Sequence, residues 1–199
     1  MRVVAGKFRG RPLATPADQR VRPTSDRVRE AVFNVLAHGI DDFAIDGARV
    51  IDLFAGTGAL GIEALSRGAA ACLFVEEDAE ARGLIRQNVE TFQLTGITRI
   101  YRRDATDLGE AGNRDRYDLA FLDPPYGKGL GEKAIAAAIA GGWLEPGAVI
   151  VLEERKGTAI SWPAGCQLLE TRSWGDTEVH FVRYAPETAA AATNLGNAR

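Results

Sequence analysis

Two cysteines and two histidines are all that 199 residues offer toward a thiolate or imidazole metal site. Cys72 and Cys166 stand far apart, in no C-x-x-C spacing, with only His38 and His180 as co-ligands. Neither a metal centre nor a disulfide is expected, and both cysteines read as buried free thiols. Long apolar runs are also missing. No stretch reaches the roughly 20 residues that a membrane helix needs, and the opening MRVVAGKFRG turns basic and glycine-rich with no signal-peptide core. A cytoplasmic protein without a membrane partner is the expectation. Nor does either charge dominate, since the formal net charge is only −3.

That small net charge hides a division. Residues 1–30 carry eight basic residues against three acidic ones, or +5, which leaves −8 for the remainder. A basic arm on an acidic body touches a polyanion locally without adhering to every nucleic acid it meets. Lys7, Arg9 and Arg11 surround the Gly6–Gly10 turn and are the arm's candidate phosphate contacts.

The arm reads as a small hairpin followed by a loop punctuated by Pro12, Pro16 and Pro23. Thr24-Ser25-Asp26 then supplies helix-start residues, and Val28, Ala31, Val32, Val35 and Leu36 form one helical face ending near Gly39. From Arg49 onward short apolar runs alternate with helical patterns: VIDLFA, CLFVE, RIYRRD, DLAFLD and VIVLEE. That alternation predicts a parallel sheet covered on both faces. LLETRSWG and EVHFVRY flank the turn residues Gly175 and Asp176, and predict a closing antiparallel pair. The Ala-rich segment after Pro186 reads as a frayed tail. Residues 1–45 are thus an arm with a packing helix, 46–185 the main domain and 186–199 a disordered tail.

Chemistry concentrates at strand ends. Gly56-Thr57-Gly58-Ala59-Leu60-Gly61 is a G-x-G-x-x-G between a strand and a helix, with Glu76 ending the next strand 20 residues after Gly56. The glycines let a ligand approach the backbone, and the acid can accept from ribose hydroxyls. Asp52, four residues before Gly56, would sit poorly beside a pyrophosphate and well near an ammonium, which argues against a dinucleotide dehydrogenase. Asp104 ends the following strand, and Asp123 ends the one after it, in FLDPPYG. Four carboxylates at one sheet edge suit a positively charged cofactor. A sulfonium carrying ribose and adenine meets the requirement, with Glu76 at the ribose and Asp104 at the adenine amino group.

FLDPPYG itself poses a separate question, because two prolines cannot continue a sheet ladder. Each proline biases the residue before it toward an extended conformation, which leaves the acceptors of Asp123 and Pro124 facing outward beside Pro125 and Tyr126. Such a tip suits a planar group that donates hydrogen bonds, such as an amino-bearing base.

DLFAGTGALG, the acid at the second strand's end, the Asp of RRDA, and LDPPYG together resemble the motif series of Rossmann-like class I S-adenosylmethionine-dependent methyltransferases. DPPY marks those that methylate exocyclic amino groups of bases. RVVAGKFRGRPL, RPTSDRVREAVFN, DLFAGTGALGIEALSRGA and the late WGDT further resemble the RsmD family of 16S rRNA guanine-N2 methyltransferases, over roughly residues 2–184. The resemblance implies a mostly parallel seven-stranded sheet and a cofactor site at Asp52, Gly56, Gly58, Glu76 and Asp104. It also implies a catalytic site at Asp123, Pro124, Pro125 and Tyr126, and 16S rRNA within a small-subunit particle as the substrate; a monomer is expected. Adenine-N6 methylation of DNA or RNA shares the DPPY chemistry and stays open at this point. A non-catalytic nucleotide-binding protein would leave both DPPY and the arm unexplained.

Overall fold

The computed structural model describes residues 1–16, 26–113 and 115–186. Seven strands form one sheet: β1 (Arg49–Leu53), β2 (Ala71–Val75), β3 (Thr98–Tyr101), β4 (Tyr117–Leu122), β5 (Leu144–Arg155), β6 (Cys166–Trp174) and β7 (Thr177–Tyr184). Their order is β3-β2-β1-β4-β5-β7-β6, parallel from β3 through β5 and antiparallel from β5 through β7 to β6. This is the expected mostly parallel sheet with a closing antiparallel pair. Gly175, at φ +61°, supplies a left-handed position in the turn between β6 and β7.

The central strands read as unbroken apolar runs because both faces are covered. Side chains alternate between two cores. Val50, Phe74, Phe121 and Val151 face α1 (Asp26–His38), α2 (Ala59–Ser66) and α3 (Ala79–Thr91), while Ile51, Leu73, Leu122 and Leu152 face α4 (Leu130–Ala140). α1 docks through Phe33, whose ring centroid lies 5.5 Å from that of Phe121. The buried stripe of α1 is Arg29, Val32, Phe33 and Leu36. It is rotated from the expected face, since Val28, Ala31 and Val35 flank the stripe half-buried and an arginine occupies its first position.

The N-terminal hairpin closes through an antiparallel bridge between Arg2 and Pro12, with one turn of 3-10 helix at Gly6–Phe8. Val3, Phe8 and Leu13 enter the same core as α2 and α3. Two polar side chains of α2 dock it. Glu63, wholly buried, accepts from the backbone N–H of Val4 (2.7 Å) and Ala5 (2.9 Å) and pairs with Arg67 Nε at 2.8 Å. Ser66 Oγ accepts from Phe8 N–H (3.0 Å) and donates to Ala5 O (2.6 Å). A Cβ on Gly6 would lie 1.9 Å from Ser66 O, so only glycine fits where the turn crosses the helix end.

Cys72 is buried, but Cys166 is only half-buried, because it opens the edge strand β6, which has a neighbour on one side alone. The proline-punctuated stretch with Arg20, Arg22, Pro23, Thr24 and Ser25 lies outside the described residues, as does the expected tail beyond Pro186. Among the described residues no helix is long and apolar enough to cross a membrane.

Candidate active site

In a parallel sheet the connections leave neighbouring strands in opposite directions at one point, and a crevice opens there at the strands' carboxyl ends. Here that point falls between β1 and β4. Asp52 pairs with Phe121 and Phe74, and Phe121 pairs with Val151. Alternation then puts Asp52, Glu76, Asp123 and Glu153 on the face covered by α1, α2 and α3. A cleft of about 140 Å³ opens at this edge, and Arg29, Asp52, Phe54, Gly56, Thr57 and Asp123 contribute to its lining. The structure thus brings Asp52, the Gly loop and the first residue of DPPY into one space.

The Gly loop has the geometry of a ligand cradle. Gly56 and Gly58 both take positive φ, +55° and +77°. Space above Gly56 is open, with nothing within 4 Å of where a Cβ would stand. Gly61 serves packing instead: a Cβ there would lie 2.4 Å from the Phe74 ring and 2.6 Å from Cys72 Sγ, so α2 could not sit this close to β2. Phe54, at φ +60°, is a bulky residue held in the left-handed region as the chain leaves β1. Such strain persists only where surrounding structure enforces it, and it collects at functional turns.

Glu76 stands beside the cradle. Its Oε2 accepts from Gly56 N–H at 2.8 Å and its Oε1 from Asp78 N–H at 2.9 Å. One carboxylate therefore shapes the Gly loop and the start of α3, and each oxygen keeps a further lone pair for a ligand hydroxyl. Asp104 is not among the cleft's lining residues. It is half-buried beyond the end of β3, where its Oδ1 accepts from the N–H and the hydroxyl of Thr106, both at 2.7 Å.

Asp52 is 2% exposed and accepts from Gly61 N–H at 3.0 Å, near the N-terminus of α2. Burial raises its pKa well above the ordinary 3.8, against the lowering effect of the Gly61 bond and with added repulsion from Asp123 and Glu76. The native state therefore holds this proton where the unfolded chain has released it. Stability falls as pH rises from the ordinary carboxylate value toward the raised one. Asp52→Asn stays neutral, and its amide oxygen can still accept from Gly61. Without ligand, the variant and its parent are expected to melt alike near about pH 4, with the variant melting progressively higher as the pH is raised from there. Thermal melts over a series of pH values check this, and a constant gap would contradict it.

The DPPY tip is braced from β5 and β7. Pro124 is buried and Pro125 exposed, and Asp123 and Tyr126 are half-buried. The Tyr126 hydroxyl donates to Glu153 Oε1 and lies 3.3 Å from Thr177 Oγ1. Burial and the Glu153 bond push that phenol far above its ordinary value, so it stays protonated and its ring stays pinned. Gly127 N–H donates to Glu154 Oε1 at 3.0 Å. Glu153, Glu154 and Thr177 escaped the sequence reading, although the acids ending VIVLEE repeat the pattern of an acid at each strand end.

The arm's turn lies elsewhere. Gly6 and Phe8 sit against Ser66, and Arg11 donates to Thr91 O at 2.8 Å and stacks 4.5 Å from the Phe92 ring centroid. Ser66 is the far end of the eight-residue α2, so Lys7, Arg9 and Arg11 stand about 12 Å along that helix from the Gly loop. The other end of the hairpin, at Met1, meets the cleft. The arm's basic turn is thus set apart from the Gly loop.

A family model described as Conserved hypothetical protein 95 matches residues 1–183. Ribosomal RNA small subunit methyltransferase D of Haemophilus influenzae is 34% identical over 177 residues, which cover 88% of this chain and 89% of that one. The Escherichia coli protein of the same name is 39% identical over 154 residues, covering 77% and 74%. The chain belongs to this family. Among solved structures, yhhF of Escherichia coli superposes with a TM-score of 0.79 at 32% identity, covering 93% of this chain and 98% of that one. An RNA methyltransferase of Salinibacter ruber, solved with S-adenosyl-L-homocysteine, shares the fold at a TM-score of 0.61 and 15% identity, covering 87% and 99%.

Proposed function

We infer that this family member is an S-adenosylmethionine-dependent enzyme that methylates the exocyclic N2 amino group of one guanine in 16S rRNA. The observation that carries this reading is the single cleft shared by Asp52, Gly56 and Asp123. The open cradle at Gly56, the acceptor at Glu76 and the carboxylate at Asp52 fit a cationic nucleoside. Gly56 and Gly58 would admit its backbone-side face, Glu76 its ribose hydroxyls, Asp52 its amino-acid end and Asp104 its adenine amino group. When bound, S-adenosylmethionine supplies an electrophilic methyl group.

The chain's own residues supply alignment. A guanine N2 lone pair is delocalised into the ring and is a poor nucleophile. Asp123 and the Pro124 carbonyl accept the two amino hydrogens, which favours a pyramidal nitrogen with its lone pair directed at the methyl group. The pinned Tyr126 ring offers the base a fixed stacking surface, beside Pro125. Orientation of this kind is worth roughly 7 to 11 kcal/mol at best. No strong base is needed, because the methylated nitrogen is acidic enough to give its extra proton to Asp123 or to water. We place the enzyme in the cytoplasm as a monomer, with a protein-bearing small-subunit particle as its substrate.

Methyl-labelled cofactor offered with small-subunit particles, naked 16S rRNA and DNA tests the reading. Label should enter particles strongly, naked rRNA weakly and DNA not at all. Transfer to DNA adenine would favour the other DPPY activity. The arm is a separable part of the proposal: Lys7, Arg9 and Arg11 would reach phosphates of an RNA segment removed from the target base. Arg11 also holds the C-terminal end of α3, so reversing Lys7 and Arg9 gives the cleaner test. Lys7→Glu with Arg9→Glu should weaken particle binding, leave cofactor affinity alone and flatten the slope of log affinity against log salt by roughly 0.7 to 0.9 per lost contact. Equal binding by variant and parent at several salt concentrations would assign recognition elsewhere.

A further inference from the structure

Arg29 of α1 is wholly buried, yet its guanidinium is only partly used. Nη2 donates to Asp26 Oδ1 at 2.8 Å and to Arg2 O, and Nε lies 3.6 Å from Glu63 Oε2. Nη1 has no hydrogen-bond partner among the described residues. An unmet buried donor on a charged group is costly and calls for a physical account. Arg29 lines the cleft with Asp52, Gly56 and Asp123, which places a cation among carboxylates at the space the cofactor would fill.

The order of the strands says which part of the cofactor this cation meets. Along the sheet edge from β3 to β4 stand Asp104, Glu76, Asp52 and Asp123. Matched to adenine, ribose, amino-acid end and target base, that order puts the amino-acid end where Asp52 and Arg29 line the cleft. The amino-acid end is a zwitterion. Asp52 suits its ammonium and the nearby sulfonium, and nothing among those four acids suits its carboxylate. We propose that Arg29 Nη1 receives that carboxylate. Arg29 is then a cofactor-binding residue as well as a tie between the hairpin, through Arg2 O, and α2, through Glu63. An RNA phosphate is the less favoured occupant, because a backbone phosphate carries its chain on both sides, whereas a terminal carboxylate enters the cleft end-on.

This rests on the S-adenosylmethionine reading above, and the test separates the two. Calorimetry on the full-length protein compares S-adenosyl-L-homocysteine with its analogue lacking only the carboxylate. The parent should bind the analogue roughly tenfold or more weakly, as expected for losing a charge-assisted bond. Arg29→Gln should bind both ligands equally, to within about twofold, and Arg29→Lys, which keeps the charge without the fork, should fall between. Equal affinities in the parent overturn the Arg29 proposal alone, and that arm needs no variant to fold. A glutamine variant that keeps the parent's ratio overturns it too. Failure of the parent to bind either ligand overturns the cofactor reading with it. Loss of RNA affinity in Arg29→Gln, with no ligand discrimination in the parent, assigns Nη1 to a phosphate and overturns the proposal.

Discussion

Asp123→Ala should stop methyl transfer while leaving affinity for S-adenosylmethionine nearly intact. Asp123 lines the cleft at the end of β4, beyond the β2 and β3 edge where the proposed ribose and adenine acceptors stand. Its removal takes away a charge-assisted hydrogen bond of about 1.5 to 3 kcal/mol to the amino group. It also takes away part of the alignment that makes the nitrogen nucleophilic, so the single-turnover rate should fall by well over about tenfold. Single-turnover rates beside calorimetry of the cofactor check both halves. An unchanged rate would remove Asp123 from the catalytic site, whereas equal losses of rate and affinity would make it a cofactor ligand.

The opposite emphasis is expected of Glu76→Ala. This carboxylate holds Gly56 N–H and Asp78 N–H, and Asp78 in turn caps α3 by accepting from Ala81 N–H at 2.8 Å. Alanine removes the proposed ribose acceptor and loosens the cradle at the same stroke. Cofactor affinity should drop by roughly tenfold to a hundredfold, from about 1.5 to 3 kcal/mol for bonds to a charged group. Glu76→Gln keeps one acceptor oxygen and should lose less. Saturating cofactor should restore much of the rate in Glu76→Ala, which it cannot do in Asp123→Ala. Unaltered affinity would contradict the ribose assignment.

Much of this architecture was legible because the signals were local. Apolar runs ending in Asp52, Glu76 and Asp123 announce a parallel sheet with acids at its carboxyl edge, and G-x-G-x-x-G locates the first turn. What stayed hidden depends on contacts between distant segments. Tyr126 is braced by residues 27 and 51 positions later, and no periodicity reports such a bond. Arg29 was concealed by a default that is usually sound, since charged residues on a helix mostly face water. The docking of the hairpin on α2 was hidden for a subtler reason. Glu63 and Ser66 lie within the apolar helix sequence ALGIEALS, and buried polar side chains there were a sign that another segment docks on α2. Their two docking points carry the arm's basic turn away from the cleft.

The central claim is that the cleft between β1 and β4 methylates guanine N2 in 16S rRNA. Nucleoside mass spectrometry of 16S rRNA tests it most directly, comparing a strain lacking this gene with the same strain given back either the parent chain or Asp123→Ala. Deletion should remove one N2-methylguanosine, the parent should restore it and Asp123→Ala should not. An unchanged N2-methylguanosine content on deletion, or loss of N6-methyladenosine instead, would contradict the account.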